Sequence, residues 1–330
     1  MYGAAARLRA HFYRVGVLQQ RRLDAIVISV GNLTVGGTGK TPLVLWLAQA
    51  LEARGKPTAI LMRGYRGTGD SSDEVALLRR HLSEGYAIGV GADRYARGQA
   101  LAARGFEWFL LDDGFQHLRL ARDVDIVLVD ATDPFGGGFV LPAGRLREPP
   151  SALGRADLVV ITRAERAPAL EMLIRRHTSA AIFYARTELE EIRPGTHSRV
   201  AWGPADWLGK QAFAFCAIGN SRAFFEDLRT WRIELAGCRA YPDHHRYSAR
   251  DAMKIERQAL EARAEILIAT EKDAYNLGAL MFQHLPLYHC QVTMRVREPE
   301  NFWQAIEAIL VRNRSGSVQW ASPVRKGVAR

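Results

Sequence analysis

The sequence predicts an α/β fold: a parallel sheet covered by helices on both faces, followed by a second, smaller α/β domain. From Ala25 onward, short apolar runs alternate with stretches of helical periodicity, the pattern of strands buried on both faces of a parallel sheet. A glycine-rich segment directly follows the first run. A polar stretch then separates this alternation from a shorter one.

The predicted elements follow in order along the chain. In the first part, apolar runs predict strands at Ala25–Val30, Pro57–Met62, Ala87–Gly91, Phe106–Leu111, Asp125–Val129, Leu158–Ile161 and Ala181–Tyr184. Periodic apolar positions predict helices between them, the clearest from about Lys40 to Arg54. Beyond the polar stretch, helical patterns accompany further predicted strands at Ala212–Ile218, Ile266–Ala269 and Leu287–Val292.

The strongest chemical signal is the segment Gly31–Thr41, with the sequence GNLTVGGTGKT. It follows a predicted strand and opens a predicted helix, the context in which such a segment forms a P-loop for a nucleoside triphosphate. Main-chain N–H groups cradle the phosphates, Lys40 reaches the outer ones, and the Thr41 hydroxyl holds magnesium. The predicted nucleotide contacts are Thr34, Val35, Gly36, Gly37, Thr38, Gly39, Lys40 and Thr41. Thr34 stands where the usual pattern has glycine.

Two adjacent acids end a predicted strand and form the second signal. Asp112 and Asp113 follow the run Phe106–Leu111, and adjacent carboxylates repel each other unless a cation lies beside them. We predict that Thr41 and one of these acids hold Mg²⁺. The sequence leaves open which acid binds directly, and an acidic turn that caps the strand is the alternative.

Further polar segments lie at predicted strand ends or between elements. The segment Arg63–Gly67 ends the second strand, where its arginines can face phosphates because open parallel sheets bind ligands beyond their carboxyl ends. Asp73 and Glu74 open a helix, either as capping residues or as catalytic ones. Pro142–Pro149 is either a substrate-side loop or an ordinary surface loop. Pro242–Tyr247 concentrates titratable groups, and Thr270–Asp273 either faces a cleft or caps a helix.

Taken in order, these segments resemble the tetraacyldisaccharide 4'-kinase family, the lipid A 4'-kinases of Gram-negative bacteria. The resemblance runs to at least Ala274 and depends on GNLTVGGTGKTP at 31–42, RGY at 63–65, DDGFQH at 112–117, LREP at 146–149, DHH at 243–245 with Tyr247, and TEKDA at 270–274. One departure is Val75 after Asp73-Glu74, where family members often have proline.

The resemblance implies that ATP, with Mg²⁺, phosphorylates the 4'-hydroxyl of a tetraacylated glucosamine disaccharide 1-phosphate, the lipid A precursor. It also implies two α/β domains with the active site between them. We therefore predict an N-terminal helix over residues 1–22, a nucleotide-binding kinase domain over 23–187, a linker over 188–210 and a smaller closing domain over 211–330. The candidate substrate contacts are Arg63, Tyr65, Gln116, His117, Arg147 and Glu148.

Three residues are the catalytic candidates. Lys40 holds the β- and γ-phosphates, in keeping with the positioning and charge stabilisation that dominate phosphoryl transfer. A sugar hydroxyl needs a proton acceptor, and Asp73 is the first choice because the other acids are expected to hold metal. His244 is expected to orient Asp73 across the cleft. Which of Asp73 and His244 takes the proton stays open.

The first helix predicts peripheral contact with an anionic membrane surface, which the resemblance implies is the cytoplasmic face of the inner membrane. Its apolar stripe comprises Met1, Ala5, Leu8, Phe12 and Val15, and it is surrounded by Arg7, Arg9, Arg14, Arg21 and Arg22. A basic amphipathic helix of this kind lies on an anionic lipid surface, although packing on the protein's own core is the alternative. The net charge of +10 suits anionic partners. No nucleic-acid-reading motif is present, so we expect no nucleic acid partner, and we expect a monomer.

Two other P-loop classes compete with this interpretation. Partitioning or membrane-positioning ATPases have a similar loop, but they carry an early lysine where this chain has Val35. A metallochaperone GTPase would need metal-binding residues near the loop and a guanine-reading motif, which Ile161–Glu165 resembles only loosely.

Overall fold

Eleven strands form one continuous sheet in the computed structural model, which describes residues 2–64, 73–83, 85–198 and 205–315. The strands are β1 (Ile26–Asn32), β2 (Thr58–Met62), β3 (Ala87–Val90), β4 (Trp108–Asp112), β5 (Val124–Asp130), β6 (Leu158–Thr162), β7 (Ala181–Pro194), β8 (Ala212–Cys216), β9 (Leu235–Ala240), β10 (Ile266–Thr270) and β11 (Leu287–Val296). Their spatial order is β3-β2-β4-β1-β5-β6-β7-β11-β10-β8-β9.

Helices cover both faces of this sheet. Their bounds are α1 (Tyr2–Arg14), α2 (Lys40–Glu52), α3 (Asp73–His81), α4 (Arg94–Ala102), α5 (Pro168–Arg175), α6 (Ser221–Thr230), α7 (Ala249–Glu261), α8 (Glu271–Asn276) and α9 (Pro299–Ser315), with a 3₁₀ helix at Pro150–Arg155. Capping side chains in the local sequence determine where several helices begin. Asn220 caps α6 with its side chain, and Ser248 forms a capping box with Asp251 at α7. The predicted α/β class is confirmed.

The direction of β7 creates the site. Every neighbouring pair of strands is parallel except β7 and β11, which are antiparallel. The first part of β7 pairs with β6, and the part beyond Ala185 continues past the end of β6 to pair with β11. The sheet therefore has two halves whose strands run toward each other, and the carboxyl ends of both halves face the same cleft.

Apolar residues on both faces of the sheet form the cores. In the first half, every residue of β5 is buried, and α2 turns Leu43, Leu47 and Leu51 inward at zero exposure. Full burial of one such side chain stabilises the fold by about 2 kcal/mol. The second half has its own clusters, with Phe215 and Ile255 on one face and Ile268 and Tyr288 on the other.

The structure corrects two predicted domain boundaries. The linker expected over 188–210 begins inside β7, because Glu188–Pro194 continues the strand and pairs with β11. The closing domain expected over 211–330 is too long, because α9 packs on the first half. Trp303 stacks on Trp46 of α2 at 6.0 Å between ring centroids. Phe302 is fully buried in the same core. Large aromatic side chains on one helix face fix it to the apolar surface of α2.

Crossing a bilayer requires a helix that is both long and apolar. Among residues 2–64, 73–83, 85–198 and 205–315, no helix meets that requirement.

Candidate active site

A cavity of about 410 Å³ lies in the cleft between the two carboxyl edges. The first half contributes residues 35–42 of the glycine-rich loop, Arg63, Glu74, Asp112, Asp113, Arg147 and Arg163. The second half contributes Gly219, Asp227, Asp243, His244, Thr270, Glu271 and Lys272. Loops from both edges therefore enclose one polar site, as expected where open α/β sheets bind ligands.

The loop after β1 has the conformation of an anion cradle. Gly36 and Gly39 adopt φ values of 134° and 90°, a region that side chains disfavour, and Gly39 leads directly into α2. The loop is held from two sides: Val35 N donates to Arg145 O at 2.7 Å, and Thr162 Oγ1 donates to Thr38 O at 3.2 Å. The loop and the N-terminus of α2 thus border the cleft, an arrangement that favours phosphate.

The predicted nucleotide contacts separate into two groups. Val35, Gly36, Gly37, Thr38, Gly39, Lys40 and Thr41 line the cleft. Thr34 does not: it is buried behind the loop, where its hydroxyl lies 3.4 Å from Asn32 Nδ2. The φ angle of Thr34 is not positive, so this position does not require glycine.

Lys40 lies beside the strand-end acids. Its Nζ atom lies 3.3 Å from Asn32 Oδ1 and 3.6 Å from Asp113 Oδ1. This places an ammonium group at the mouth of the loop, with Asp113 as its acidic neighbour.

Asp112 and Asp113 have opposite environments. Asp113, in a left-handed conformation with φ 50°, accepts hydrogen bonds from Arg147 on both carboxylate oxygens. Although burial opposes it, the charges of Lys40 and Arg147 lower the pKa of Asp113. Burial, reinforced by Glu74 and Asp113, raises the pKa of Asp112 to about 7. Asp113 is thus paired with cations, whereas burial and the neighbouring acids dominate the environment of Asp112.

The residues at this point fit a magnesium ion. Asp112 Oδ1 is buried and has no hydrogen-bond partner in the described part of the chain, and Thr41 lines the same cleft. Within the described residues, no three His, Cys, Asp or Glu side chains converge as a metal cluster. A cation here would be held by one or two protein oxygens and by phosphate, which is how Mg²⁺ is usually bound.

Glu74 was not selected as a site residue from the sequence, yet the structure brings it into the cleft. It lies on the first turn of α3, and its charge contributes to the raised pKa of Asp112. The only sequence signal was its place beside Asp73. Asp73 begins α3, but its side chain lies outside the described residues, so its predicted pairing with His244 stays a prediction.

His244 faces the cleft from the second half. It adopts φ 58°, its main-chain N donates to Ala217 O at 3.2 Å, and its Nε2 lies 3.9 Å from Asp243 Oδ2. A non-glycine residue with positive φ is uncommon, and such residues cluster at functional sites.

The predicted substrate contacts are only partly brought together. Arg63 lines the cleft, and Arg147 does so while bound to Asp113. Gln116 lies beside Arg147 but off the cleft lining, donating to Asn32 O at 2.9 Å and accepting from Arg147 at 3.3 Å. Tyr65 lies outside the described residues.

Glu148 and His117 are corrections to the predicted substrate set. Glu148 is 5% exposed, and both its oxygens accept from Arg155 at 2.9 Å, so it anchors Arg155 rather than lining the cleft. His117 also lies off the cleft lining. Burial and nearby arginines, chiefly Arg94, lower its pKa to about 4.

The two halves touch directly at the loop. A Cβ placed on Gly219 would lie 2.5 Å from Gly36 Cα and 2.9 Å from Gly37 N, so only glycine allows this approach. Arg145 spans the contact: its Nη2 donates to Val35 O at 2.9 Å and to Gly219 O at 3.4 Å, and its Nη1 donates to Asp133 at 2.8 Å. Sequence reasoning missed both Gly219 and Arg145.

Comparisons with known proteins agree along most of the chain. The family model described as Tetraacyldisaccharide-1-P 4'-kinase matches residues 1–311. Curated proteins named tetraacyldisaccharide 4'-kinase include one from Geobacter metallireducens, 38% identical over 94% of this chain and 95% of its own length. Another, from Geobacter sulfurreducens, is 38% identical over 94% and 91%. The crystal structure of LpxK from Aquifex aeolicus in complex with ATP superimposes with a TM-score of 0.68, at 29% identity over 94% of this chain and 96% of that chain.

Proposed function

This chain belongs to the tetraacyldisaccharide-1-phosphate 4'-kinase family, and from that premise we propose how its residues perform the reaction. It is an ATP-dependent kinase of lipid A biosynthesis that transfers the γ-phosphate to the 4'-hydroxyl of a tetraacyldisaccharide 1-phosphate. The observation that supports a phosphoryl-transfer site most directly is a glycine-rich loop at the mouth of a parallel sheet, with Asp112 and Asp113 beside its lysine.

Lys40 and the loop amides bind and orient the triphosphate. The amides of residues 36–41 and the N-terminus of α2 hold phosphate oxygens, and Lys40 leaves Asp113 to contact the β- and γ-phosphates. Binding of this kind stabilises charge in the transition state, which is the main contribution a protein makes to this reaction.

Asp112 and Asp113 have different roles in the proposed site. We propose that Asp112 and Thr41 hold Mg²⁺, which when bound neutralises charge on the phosphate oxygens. The support is the unpartnered, buried Oδ1 of Asp112. Asp113 is instead committed to Arg147 and positions Lys40.

The proton of the sugar hydroxyl needs an acceptor in the cleft. We propose Asp73 as the acceptor, because it begins α3 next to Glu74, which lines the cleft. His244, which faces the cleft from the opposite half, orients that carboxylate. Closure of the second half over the loop, through Gly219 on Gly36, excludes the water that would otherwise hydrolyse ATP.

Cationic side chains in the cleft are candidates to bind the anionic group of the lipid. Arg63, Arg94, Arg147, Arg163 and Lys272 line it, so the 1-phosphate of the acceptor has cationic partners beyond those that bind ATP. We propose Arg63 and Arg147 as its contacts, with Gln116 supporting Arg147.

The acceptor is a lipid, and α1 supplies the surface that reaches it. One side of α1 contacts the protein, where Arg9 donates to Gln116 O at 3.3 Å. The region around its C-terminal end leaves apolar side chains in solvent: Leu8, Val15 and Val17 are 53%, 51% and 67% exposed. We propose that a monomer docks peripherally through this segment on the anionic cytoplasmic face of the inner membrane.

The experiment is incubation of the purified protein with γ-labelled ATP and tetraacyldisaccharide 1-phosphate in detergent. Label on the lipid supports the assignment. Label that appears only as free phosphate, with stimulation by vesicles alone, would instead favour a P-loop switch ATPase.

A further inference from the structure

His81 and Glu271 form an ion pair that joins the two halves of the protein across the cleft. His81 ends α3 in the first half, Glu271 begins α8 in the second, and their Nε2 and Oε2 atoms lie 2.7 Å apart. Both side chains are 12% exposed. Arg80 Nη1 lies 3.8 Å from the other carboxylate oxygen.

His81 lies at the C-terminal end of α3, and Asp73, the proposed proton acceptor, begins the same helix. Glu74, Leu77 and His81 all line the cleft, and their spacing places them on one face of α3. Val75 and Leu78 occupy the adjacent face, fully buried against the core that includes α2. Core packing therefore holds α3 on its own half, whereas His81 sets its position relative to the second half.

On the other side, α8 is tied to the segments that face the loop. Thr270 caps α8, and the buried carboxylate of Asp273 accepts from Ala217 N at 2.8 Å and from Tyr247 Oη at 2.8 Å. Ala217 O in turn accepts from the main-chain N of His244 at 3.2 Å.

Ala217 also begins the turn that brings Gly219 onto Gly36. The short segment Thr270–Asp273 thus supports both the turn over the phosphate loop and His244, which lines the cleft. A displacement of α8 moves both of them together, because each depends on Asp273.

We propose that His81 and Glu271 are positioning residues for the phosphoryl transfer described above. Their contact fixes the first turn of α3, with Asp73 and Glu74, relative to α8 and so relative to His244 and Gly219 in the closed cleft. The inference rests on the proposed function of the cleft, but it assigns the pair no contact with the reacting atoms.

Charge makes this contact sensitive to pH. The hydrogen bond to Glu271 raises the pKa of His81, although burial opposes it. The hydrogen bond and charge of His81 lower the pKa of Glu271 against the effect of its burial. Other groups facing the pair are Glu190, Arg193, His289 and Arg80, with Gln291 Nε2 3.3 Å from His81 Nδ1. The charged pair is complete below the raised pKa of His81 and is lost as pH rises through it.

The test compares full-length His81→Gln, Glu271→Gln and the double variant with the wild type. His177→Gln is the matched control, because His177 follows α5 and does not line the cleft. Below the pKa of His81, we expect each single substitution to lower kcat roughly tenfold, the effect of losing one charge-assisted hydrogen bond. ATP affinity, measured with a fluorescent nucleotide, should stay within about threefold of the wild type. The double variant should be no slower than the slower single variant.

The pH profile separates positioning from a merely structural role. The wild type should lose kcat as pH rises through the pKa of His81, and His81→Gln should lack that limb. The proposal would be overturned if His81→Gln kept the alkaline fall in kcat. It would also be overturned if the losses of kcat in the two single variants added in the double variant, or if a lower melting temperature accounted for those losses. Absence of lipid labelling by the wild type would instead reject the function itself.

Discussion

Arg147 donates from one nitrogen to both carboxylate oxygens of Asp113, at 2.8 and 2.7 Å. The neighbouring Asp112 keeps a buried oxygen without a partner in the described part of the chain. Two consecutive acids therefore have different environments, and the proposed division of roles places Asp113 in a cationic cluster and gives Asp112 the magnesium ion.

Substitution of each acid should separate these tasks. We expect Asp112→Asn to lower kcat roughly a hundredfold and to raise the Mg²⁺ concentration needed for half-maximal rate, because a neutral amide binds the cation poorly. Asp113→Asn should mainly raise KM for ATP, because Lys40 and Arg147 lose their common partner. Magnesium titrations of kcat measure both effects. Equal shifts in the Mg²⁺ requirement would contradict the division.

Metal-free stability should depend on pH through Asp112. Burial raises its pKa to about 7, so the native state binds more protons than the unfolded state between the ordinary carboxyl pKa and that value. Unfolding free energy contributed by this group therefore falls as pH rises through that window. In EDTA, the melting temperature of the wild type should fall between pH 5 and pH 7.5 by roughly several degrees more than that of Asp112→Asn. Parallel profiles would show that Asp112 is ionised throughout.

The sequence alone predicts those parts of the fold and the site whose residues lie in one continuous segment. The glycines and Lys40 of Gly31–Thr41 lie in one continuous segment, so the sequence alone predicts the loop. The strands of the first half are also predictable, because each is one continuous apolar run. β9 was missed because Leu235–Ala240 is partly exposed and contains Gly237, so it lacks a strong apolar pattern.

Contacts between distant segments could not be predicted in this way. The motif LREP indicated Arg147 and Glu148 equally, but Glu148 turns away to pair with Arg155, which is seven residues further on. Nothing local to Gly219 indicated that it would meet Gly36. The aromatic face of α9 gave no sign of which half it would cover, since Trp46 lies more than two hundred residues earlier.

Closure over the loop should fail when Gly219 gains a side chain. We expect Gly219→Ala to lower kcat/KM about tenfold or more, because its Cβ would lie 2.5 Å from Gly36 Cα and backbone must move to admit it. Gly85→Ala is the matched control, since its Cβ would meet nothing closer than 3.5 Å. Steady-state kinetics with both substrates measure the effect. Wild-type kinetics in Gly219→Ala would show that this contact is not part of the working state.

Arg145 should set the affinity for ATP. Arg145→Met removes the guanidinium that holds Val35 O and Gly219 O together, so the loop should lose part of its preorganisation. We expect KM for ATP to rise about three- to tenfold, in line with the loss of hydrogen bonds to a charged donor, with a smaller change in kcat. Arg104→Met is the control, because Arg104 lies over Phe106 away from the cleft. A lower kcat at unchanged KM would contradict this role.

Membrane docking through α1 and the segment after it should depend on exposed apolar side chains. Leu8 and Val17 are 53% and 67% exposed, and each would enter the acyl boundary of a bilayer. The double substitution Leu8→Ser, Val17→Ser should weaken binding to anionic phospholipid vesicles roughly tenfold or more, given the free energy of burying such side chains. Activity on detergent-dispersed lipid should persist, because neither residue lines the cleft. Met172→Ser is the matched control, since Met172 is 66% exposed on α5. Vesicle co-sedimentation at low and high salt measures the affinity, and equal binding by the double variant and the wild type would place the membrane contact elsewhere.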